Sequence, residues 1–188
     1  MSENRIVVSV QLSLDGRTAG PAGELDWFAV KDELHEHFVT EHSQAGAFMY
    51  GRRTYEGMAA YWPTADQDPD NDPWLIEYSK VWKSMPKAVF SRTLTSAEWD
   101  TTVLRDVAAL DAFRARATGD LYLLGSGRMI TELTAAELVD EFQLYVHPSV
   151  LGRGPSLLEG LSRRLDLELV DSQTFDRAVT KLTYHRAQ

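Results

Sequence analysis

The feature that most constrains the fold is a short apolar run that breaks at glycine and continues into a helical pattern, and it occurs twice. Residues 121–124 (LYLL) lead into residues 125–128 (GSGR), and a helical stretch follows. Residues 47–50 (AFMY) lead into residues 51–54 (GRRT) in the same way. Strands joined to helices in this order are typical of parallel sheets. The two junctions therefore predict an α/β fold.

The chemistry of these junctions suits a phosphate group. Glycine lets the backbone approach an anion closely, and the first turn of a helix presents N–H groups at the positive end of its dipole. The dinucleotide fingerprint G-x-G-x-x-G is absent, because its third glycine is replaced by Ile130. A single Gly-x-Gly is more often a tight turn. Two junctions that each carry arginine nevertheless indicate a ligand with more than one phosphate.

The overall charge argues against two classes of partner. The 188 residues carry 28 acidic and 19 basic side chains, a net charge of −9. Nucleic acids and anionic membranes favour basic partners, so we expect neither. The absence of cysteine excludes disulfides and thiolate metal sites. No run approaches the ~18 apolar residues of a membrane span, and no signal peptide is visible. We therefore expect a cytoplasmic protein with a single domain over residues 1–188.

The remaining pattern alternates strands with helices. Besides the two junction strands, it predicts strands at 6–12, 87–91, 101–104, 141–147, 165–173 and 178–185. It predicts helices at 32–42, 55–61, 75–84 and 107–117, and long loops at 13–27 and 63–73. This alternation predicts a mostly parallel sheet covered by helices. The last two strands are separated by a short connection, so they are expected to pair as an antiparallel hairpin at the end of the sheet.

A third candidate for phosphate binding is the pair Ser91-Arg92. These residues end the predicted strand at 87–91. A hydroxyl and a guanidinium at the carboxyl end of a parallel strand suit a phosphate monoester, because ligands gather along that edge. The alternative is a solvated turn, and both interpretations stay open.

Histidine does not indicate a metal site. His35, His37 and His42 lie on one predicted helix, but His35 and His37 point to different faces. The zinc motif H-E-x-x-H would need histidine where the chain has Val39. We expect a solvated helix face for these three histidines and no metal. His147 is expected in the core or at the edge of the sheet.

Two acidic residues are candidates for proton delivery or substrate binding. Asp15 precedes Gly16, where an aspartate is usually a turn residue. Asp32 begins a predicted helix, where an aspartate usually caps the helix or favours its dipole. The structural interpretations hold unless the ligand lies beside these side chains. No G-x-S-x-G motif or cysteine nucleophile indicates covalent acyl chemistry.

Three segments resemble known reductases. Residues 13–19 (SLDGRTA), together with Trp27, resemble the start of the C-terminal reductase domain of the bifunctional riboflavin-biosynthesis deaminase-reductase. Residues 51–56 (GRRTYE) resemble the phosphate-binding junction of dihydrofolate reductase. Residues 140–154 (DEFQLYVHPSVLGRG) are similar to the late strand and turn of the riboflavin-type reductases. The matches fall in the family's order and cover most of the chain up to about residue 160.

The resemblance implies a dihydrofolate reductase-like fold, a three-layer αβα arrangement with a mostly parallel sheet and an antiparallel C-terminal hairpin. It also implies an NADPH-dependent reductase that acts on a small heterocyclic or pyrimidine-type molecule. The resemblance implies a substrate similar to 5-amino-6-(5-phosphoribosylamino)uracil or to dihydrofolate. Reduction would then be a hydride transfer to a C=N or C=O carbon. Because riboflavin-type reductase domains are commonly dimeric, the resemblance further implies a homodimer.

The resemblance also assigns residues to the cofactor and the substrate. The loop that carries Asp15, Gly16 and Trp27 would border the nicotinamide and the substrate. Asp32 follows Trp27 by five residues, the spacing at which dihydrofolate reductases keep their substrate-binding carboxylate. Ser91 with Arg92 would take the adenosine 2′-phosphate. The residues implied to hold the cofactor phosphates are Gly51, Arg52, Arg53, Thr54, Ser91, Arg92, Gly125, Ser126, Gly127, Arg128, Met129 and Ile130.

Two departures from the family leave alternatives open. The zinc signature of the deaminase half is absent, so the chain does not resemble the complete bifunctional enzyme. Residues 51–56 resemble dihydrofolate reductase, whereas the predicted loop at residues 13–27 does not. A non-catalytic nucleotide-binding protein with the same fold is the main alternative to a reductase. A flavin- or nucleotide-binding module without NADPH fits less well, because of the Ser91-Arg92 pair.

Overall fold

The structure, a computed structural model, describes residues 4–125 and 127–187. The strands are β1 (Ile6–Ser13), β2 (Ala47–Gly51), β3 (Lys87–Phe90), β4 (Thr101–Leu104), β5 (Leu121–Leu124), β6 (Glu141–His147), β7 (Leu167–Phe175) and β8 (Val179–Arg186). The helices are α1 (Asp32–Ser43), α2 (Arg52–Tyr61), α3 (Pro73–Ser84), α4 (Leu110–Arg114) and α5 (Gly127–Ala135). Single 3₁₀ turns occur at Trp62–Thr64 and Val107–Ala109.

The strands form one sheet in the order β4-β3-β2-β5-β1-β6-β8-β7. Parallel pairing joins β2 to β3, β3 to β4, and β1 to β6. The last two strands form the predicted hairpin, because β8 runs antiparallel to both β6 and β7. The α/β fold with a mostly parallel sheet and an antiparallel C-terminal hairpin is therefore confirmed.

The contacts of the chain divide it into two units. The first contains Asn4 and residues 35–122, and the second contains residues 5–34 and 123–187. A single domain over the whole chain stays a prediction. None of the helices in the described residues is long and apolar enough to cross a membrane.

The core of the first unit includes a buried lysine. Every residue of β3 is buried, Lys87 included. Its ammonium donates to the carbonyl oxygens of Met85 (2.5 Å) and Trp99 (2.9 Å), and it lies 4.4 Å from the centre of the Trp82 ring. Burial lowers the pKa of Lys87 to about 8. These contacts tie the loop before β4 to the start of β3 and offset part of the cost of removing the charge from water.

The second unit buries its central strand. Seven of the eight residues of β1 are buried, which is typical of a strand covered on both faces. The helix α5 packs by one face, because Met129, Ile130 and Leu133 are buried. At the edge of the sheet, β7 is almost entirely exposed, and its Leu169 is 51% exposed. An edge of this kind is what the predicted homodimer would cover, and the homodimer stays a prediction.

Two helix predictions need correction. The helix predicted at 55–61 begins earlier, at Arg52, so residues 52–54 form its first turn. The helix predicted at 107–117 is shorter and is preceded by a 3₁₀ turn. Between α4 and β5 the chain passes close to Gly46, where an added Cβ atom would clash with the backbone nitrogen and carbonyl oxygen of Gly119.

Candidate functional site

In the first unit, the carboxyl ends of β2 and β3 lie side by side. Gly51 pairs with Phe90 in the parallel register, so the residues that follow each strand are neighbours. Arg52 connects them, because its guanidinium donates to the Thr93 hydroxyl at 2.6 Å. The junction at residues 51–54 and the strand end at Ser91-Arg92 are thus brought together on one edge of the sheet.

The positive end of the α2 dipole has neither of the groups that usually neutralise it, a capping side chain or an acidic residue in the first turn. Gly51 is the N-cap of α2, no side-chain capping hydrogen bond is made there, and the first turn contains no acidic residue. Arg53 and Arg92 are both exposed, and within residues 4–125 and 127–187 neither guanidinium forms an ion pair. Arg52 is already occupied, since its Nε pairs with Glu56 at 2.6 Å. This edge therefore has positive groups that suit an anion.

Ser91 builds the turn that presents Arg92. The buried Ser91 hydroxyl accepts from the backbone N–H groups of Thr93 (3.3 Å) and Leu94 (3.0 Å). Arg105 donates to the carbonyl oxygens of Ser91 (2.9 Å) and Leu94 (2.7 Å) from the end of β4. Nothing in the local sequence indicates that the Arg105 side chain returns to this turn, so its role was not predicted. A turn and a ligand site are both compatible with this geometry.

In the second unit, the glycine junction lies beside β1. The N–H of Gly125 donates to the Ser9 carbonyl oxygen at 3.2 Å, and Gly125 has φ +63°, which disfavours other residues. Gly127 begins α5. Ser126 lies outside the described residues. Among the described residues beyond α5 itself, a Cβ atom built on Gly127 would meet the Thr18 hydroxyl, at 3.8 Å. The backbone at Gly127 is therefore open to a close approach by a ligand.

The other residues assigned to this junction differ in what they offer. Arg128 is exposed and pairs with Glu132 at 2.7 Å, one turn further along α5. The side chains of Met129 and Ile130 are buried. These two residues therefore have only backbone groups to offer a ligand.

Asp15 anchors one loop to another. Its carboxylate accepts from the Ser13 hydroxyl (2.7 Å) and from the N–H groups of Leu151 (3.0 Å) and Gly152 (2.8 Å). These hydrogen bonds, led by that from Ser13, lower the pKa of Asp15 to about 2. The next residue, Gly16, has φ +75°, as the turn requires. An ionised carboxylate with three donors suits loop anchoring better than proton delivery.

Trp27 belongs to an aromatic cluster with Phe28 and His147. The Trp27 ring lies edge-on to both, at 4.5 Å from Phe28 and 5.5 Å from His147, and Phe28 stacks on His147 at 5.3 Å. His147 is fully buried at the end of β6, as predicted for the core or sheet edge. Its Nε2 lies 2.7 Å from the Gln11 carboxamide oxygen. Gln11 was not predicted as a site residue, because its local signal is no more than a polar residue inside an apolar strand.

The prediction of a solvated helix face is wrong for two of the three helix histidines. His35 and His42 are buried. His35 stacks on Trp74, and the Nδ1 of His42 lies 2.7 Å from the Tyr78 hydroxyl. Among the described residues, no three histidine or acidic side chains form a group able to hold a metal ion.

Asp32 is exposed at the start of α1, but another aspartate caps that helix. The Asp176 carboxylate accepts from the N–H groups of Glu33 (3.2 Å) and Leu34 (3.3 Å). In return, the Glu33 carboxylate accepts from the Asp176 N–H at 2.6 Å. Asp176 lies in the turn between β7 and β8, so the cap comes from far along the chain. Asp32 is left without a capping role in α1.

This cap predicts a loss of stability when Asp176 is replaced by glycine. Asp176 has φ +53°, which glycine adopts without strain, so Asp176→Gly removes the cap and also relieves the cost of a left-handed backbone. Arg177→Gly is the matched control, because the neighbouring Arg177 also has φ +53° and its replacement gives the same relief without loss of the cap. We expect the free energy of unfolding of Asp176→Gly to be about 1 kcal/mol below that of Arg177→Gly, which makes its Tm about 2–4 °C lower. Equal Tm values for the two variants in thermal unfolding would contradict the capping role.

Three solved structures resemble this fold. A protein described as a riboflavin biosynthesis protein, from Shewanella sp. PV-4, has a TM-score of 0.75 and 23% identity, covering 98% of this chain and 99% of its own. The deaminase/5-amino-6-(5-phosphoribosylamino)uracil reductase of Thermotoga maritima has a TM-score of 0.68 and 12% identity, over 98% of this chain and 57% of its own. Dihydrofolate reductase from Enterococcus faecalis, complexed with NADP(H), has a TM-score of 0.66 and 16% identity, over 99% and 98%. The predicted dihydrofolate reductase-like fold is confirmed.

Sequence comparison gives the family. The uncharacterized protein YyaP of Bacillus subtilis (strain 168) is 29% identical over 188 residues, which cover 98% of this chain and 96% of YyaP. The uncharacterized protein YwjB of the same organism is 25% identical over 187 residues, which cover 98% of this chain and 99% of YwjB. The model of the RibD C-terminal domain matches residues 4–181. Because this match spans nearly the whole sequence, the chain belongs to the RibD C-terminal domain family.

Proposed function

We propose that the protein is an NADPH-dependent reductase of a small heterocyclic or pyrimidine-type substrate. The observation that carries the proposal is the pair of exposed arginines, Arg53 and Arg92, beside the acid-free start of α2. Two of the similar structures support it. One is named as a reductase of a phosphoribosylaminouracil, and the other is a dihydrofolate reductase complexed with NADP(H). The alternative, a non-catalytic nucleotide-binding protein, would use the same arginines without turnover.

In the first unit, Arg92 and the turn built by Ser91 would bind the adenosine 2′-phosphate. An exposed guanidinium makes two parallel hydrogen bonds to a phosphate monoester, and NADH lacks that group. The residues at the start of α2, Gly51 to Thr54, would bind a further phosphate through Arg53 and the helix dipole. These residues fit an anionic ligand, because no protein carboxylate occupies the first turn of α2.

In the second unit, the backbone around Gly125 and Gly127 would bind the pyrophosphate. The open space at the Gly127 Cβ position fits a close backbone approach. Bound NADPH supplies the hydride. The loop tied down by Asp15 and the cluster of Trp27, Phe28 and His147 would hold the substrate ring and exclude water from it.

The direct test of the function is a titration of the protein with NADPH and with NADH, followed by an NADPH oxidation assay. The assay offers dihydrofolate and 5-amino-6-(5-phosphoribosylamino)uracil as substrates. The proposal expects tighter binding of NADPH and oxidation with at least one heterocycle. Equal affinity for the two cofactors would overturn the NADPH assignment. Tight NADPH binding without oxidation in the presence of either heterocycle would favour the non-catalytic alternative.

Asp32 is the carboxylate that the proposal leaves for the substrate. It is exposed and α1 is capped by Asp176, so Asp32→Asn should lower the Tm by no more than about 2–4 °C, the effect of one charge at the start of a helix. We expect the rate of NADPH oxidation to fall by about three- to tenfold, the effect of one hydrogen bond to a ring N–H, with NADPH affinity unchanged. Glu36→Gln, an exposed change on the same helix, is the control. An unchanged rate with Asp32→Asn would show that Asp32 does not contribute to the reaction.

A further inference from the structure

The side chains of Gln11 and His147 meet at the carboxyl ends of two neighbouring parallel strands. In the register of β1 and β6, Gln11 pairs with Tyr145 and Ser13 pairs with His147. The His147 ring makes two polar contacts. Its Nδ1 lies 2.9 Å from the backbone nitrogen of Ala29, and its Nε2 lies 2.7 Å from the oxygen of the Gln11 carboxamide.

The contact with Ala29 decides which ring nitrogen carries the proton. A backbone N–H only donates, so the Nδ1 of His147 must be the acceptor and carries no hydrogen. The proton of the neutral ring is then on Nε2, which donates to Gln11. Stacking on Phe28 and complete burial hold the ring in this orientation. Burial also lowers the pKa of His147 to about 4, so the ring is neutral near pH 7.

This arrangement fixes the orientation of the Gln11 carboxamide. Because Nε2–H of His147 is a donor, the carboxamide must turn its oxygen toward the ring and its NH₂ group away. Gln11 is half-buried, and within residues 4–125 and 127–187 the hydrogen bond of its side chain is the one that its oxygen accepts from His147, which leaves the NH₂ group without a partner there. The molecule therefore presents a preset donor at the strand edge where ligands gather.

We propose, on the basis of the reductase function above, that Gln11 is a specificity-determining residue whose NH₂ group donates a hydrogen bond to a carbonyl oxygen on a planar heterocyclic ligand. His147 is its positioning residue. Two groups share this chemistry, the carboxamide of the nicotinamide ring and the lactam of a pyrimidine or pteridine substrate. A phosphate suits the donor less well, because a neutral carboxamide adds no positive charge.

The test uses two variants with different consequences for His147. Gln11→Glu keeps an oxygen to accept from His147 but replaces the NH₂ donor with an acceptor. Gln11→Met removes both groups at similar length. Binding of NADPH, of 2′,5′-ADP and of dihydrofolate is measured for both variants and the wild type, with the Tm of each. 2′,5′-ADP carries the adenosine and the 2′-phosphate without the nicotinamide, so it reports on the contacts of that half of the cofactor.

We expect both variants to bind a carbonyl-bearing ligand about two- to tenfold more weakly and to bind 2′,5′-ADP unchanged. A loss for NADPH identifies the nicotinamide carboxamide as the acceptor, and a loss for dihydrofolate identifies the substrate lactam. Unchanged binding of all three ligands by Gln11→Glu would overturn the role of Gln11 and leave the proposed function intact. A wild type that binds neither NADPH nor 2′,5′-ADP would overturn the proposed function itself.

Discussion

Replacing Arg92 with alanine is expected to weaken NADPH binding about ten- to 150-fold and to leave NADH binding unchanged. A hydrogen bond to a charged group contributes about 1.5–3 kcal/mol, which corresponds to this range of affinity. Arg92 is exposed, and among the described residues no carboxylate pairs with it, so its charge is available to a ligand. NADH lacks the 2′-phosphate, so it should not respond. Isothermal titration with both cofactors measures the effect.

Two further variants separate a specific contact from a general loss of charge. Arg116→Ala removes an exposed arginine of the same unit at the other end of its sheet, beyond α4, and should not change either affinity. Arg92→Lys keeps the charge but loses the planar pair of donors, so it should fall between the wild type and Arg92→Ala. If Arg116→Ala weakens NADPH binding as much as Arg92→Ala, long-range electrostatics would explain the result and the assignment would fail.

Gly127→Val is expected to weaken cofactor binding about tenfold or more while the protein still unfolds cooperatively. The Cβ position of Gly127 is open, with the Thr18 hydroxyl 3.8 Å away, so the fold has room for a side chain. The valine side chain would occupy the space of a pyrophosphate held against the backbone there, and the ligand would lose its charge-assisted hydrogen bonds. NADPH titration and thermal unfolding of the same sample separate the two effects.

Gly57→Val is the control for this change. Gly57 lies within α2, and a Cβ atom there lies more than 4 Å from every described residue outside its own stretch of helix, so valine again costs little packing. It lies in the helix interior and not at a strand-to-helix junction, so NADPH affinity should be unchanged. If Gly127→Val binds NADPH normally, the junction is only a turn, and the pyrophosphate assignment in the second unit is wrong.

The strands and their parallel arrangement follow from local pattern. Residues 121–124 and 47–50 are short apolar runs broken by glycine, and both are buried strands that lead into helices. The hairpin of β7 and β8 follows from two adjacent strand patterns with a short connection. Because hydrophobic periodicity is a pattern of neighbouring residues, it can be recognised without tertiary structure. The proposal that the two junctions bind phosphate also rests on consecutive residues, so it could be made from the sequence and stays a prediction.

The interactions that define individual side chains depended on tertiary structure. Asp15 anchors a loop more than 130 positions away, and Asp176 caps a helix that begins 144 residues earlier. The orientation of Gln11 depends on His147, whose proton is placed by the N–H of Ala29. These contacts require strand register and loop closure to bring distant residues within hydrogen-bond distance. The sequence by itself determined the sheet, the junctions and the family, whereas only tertiary structure decided which polar groups are occupied and which remain for a ligand.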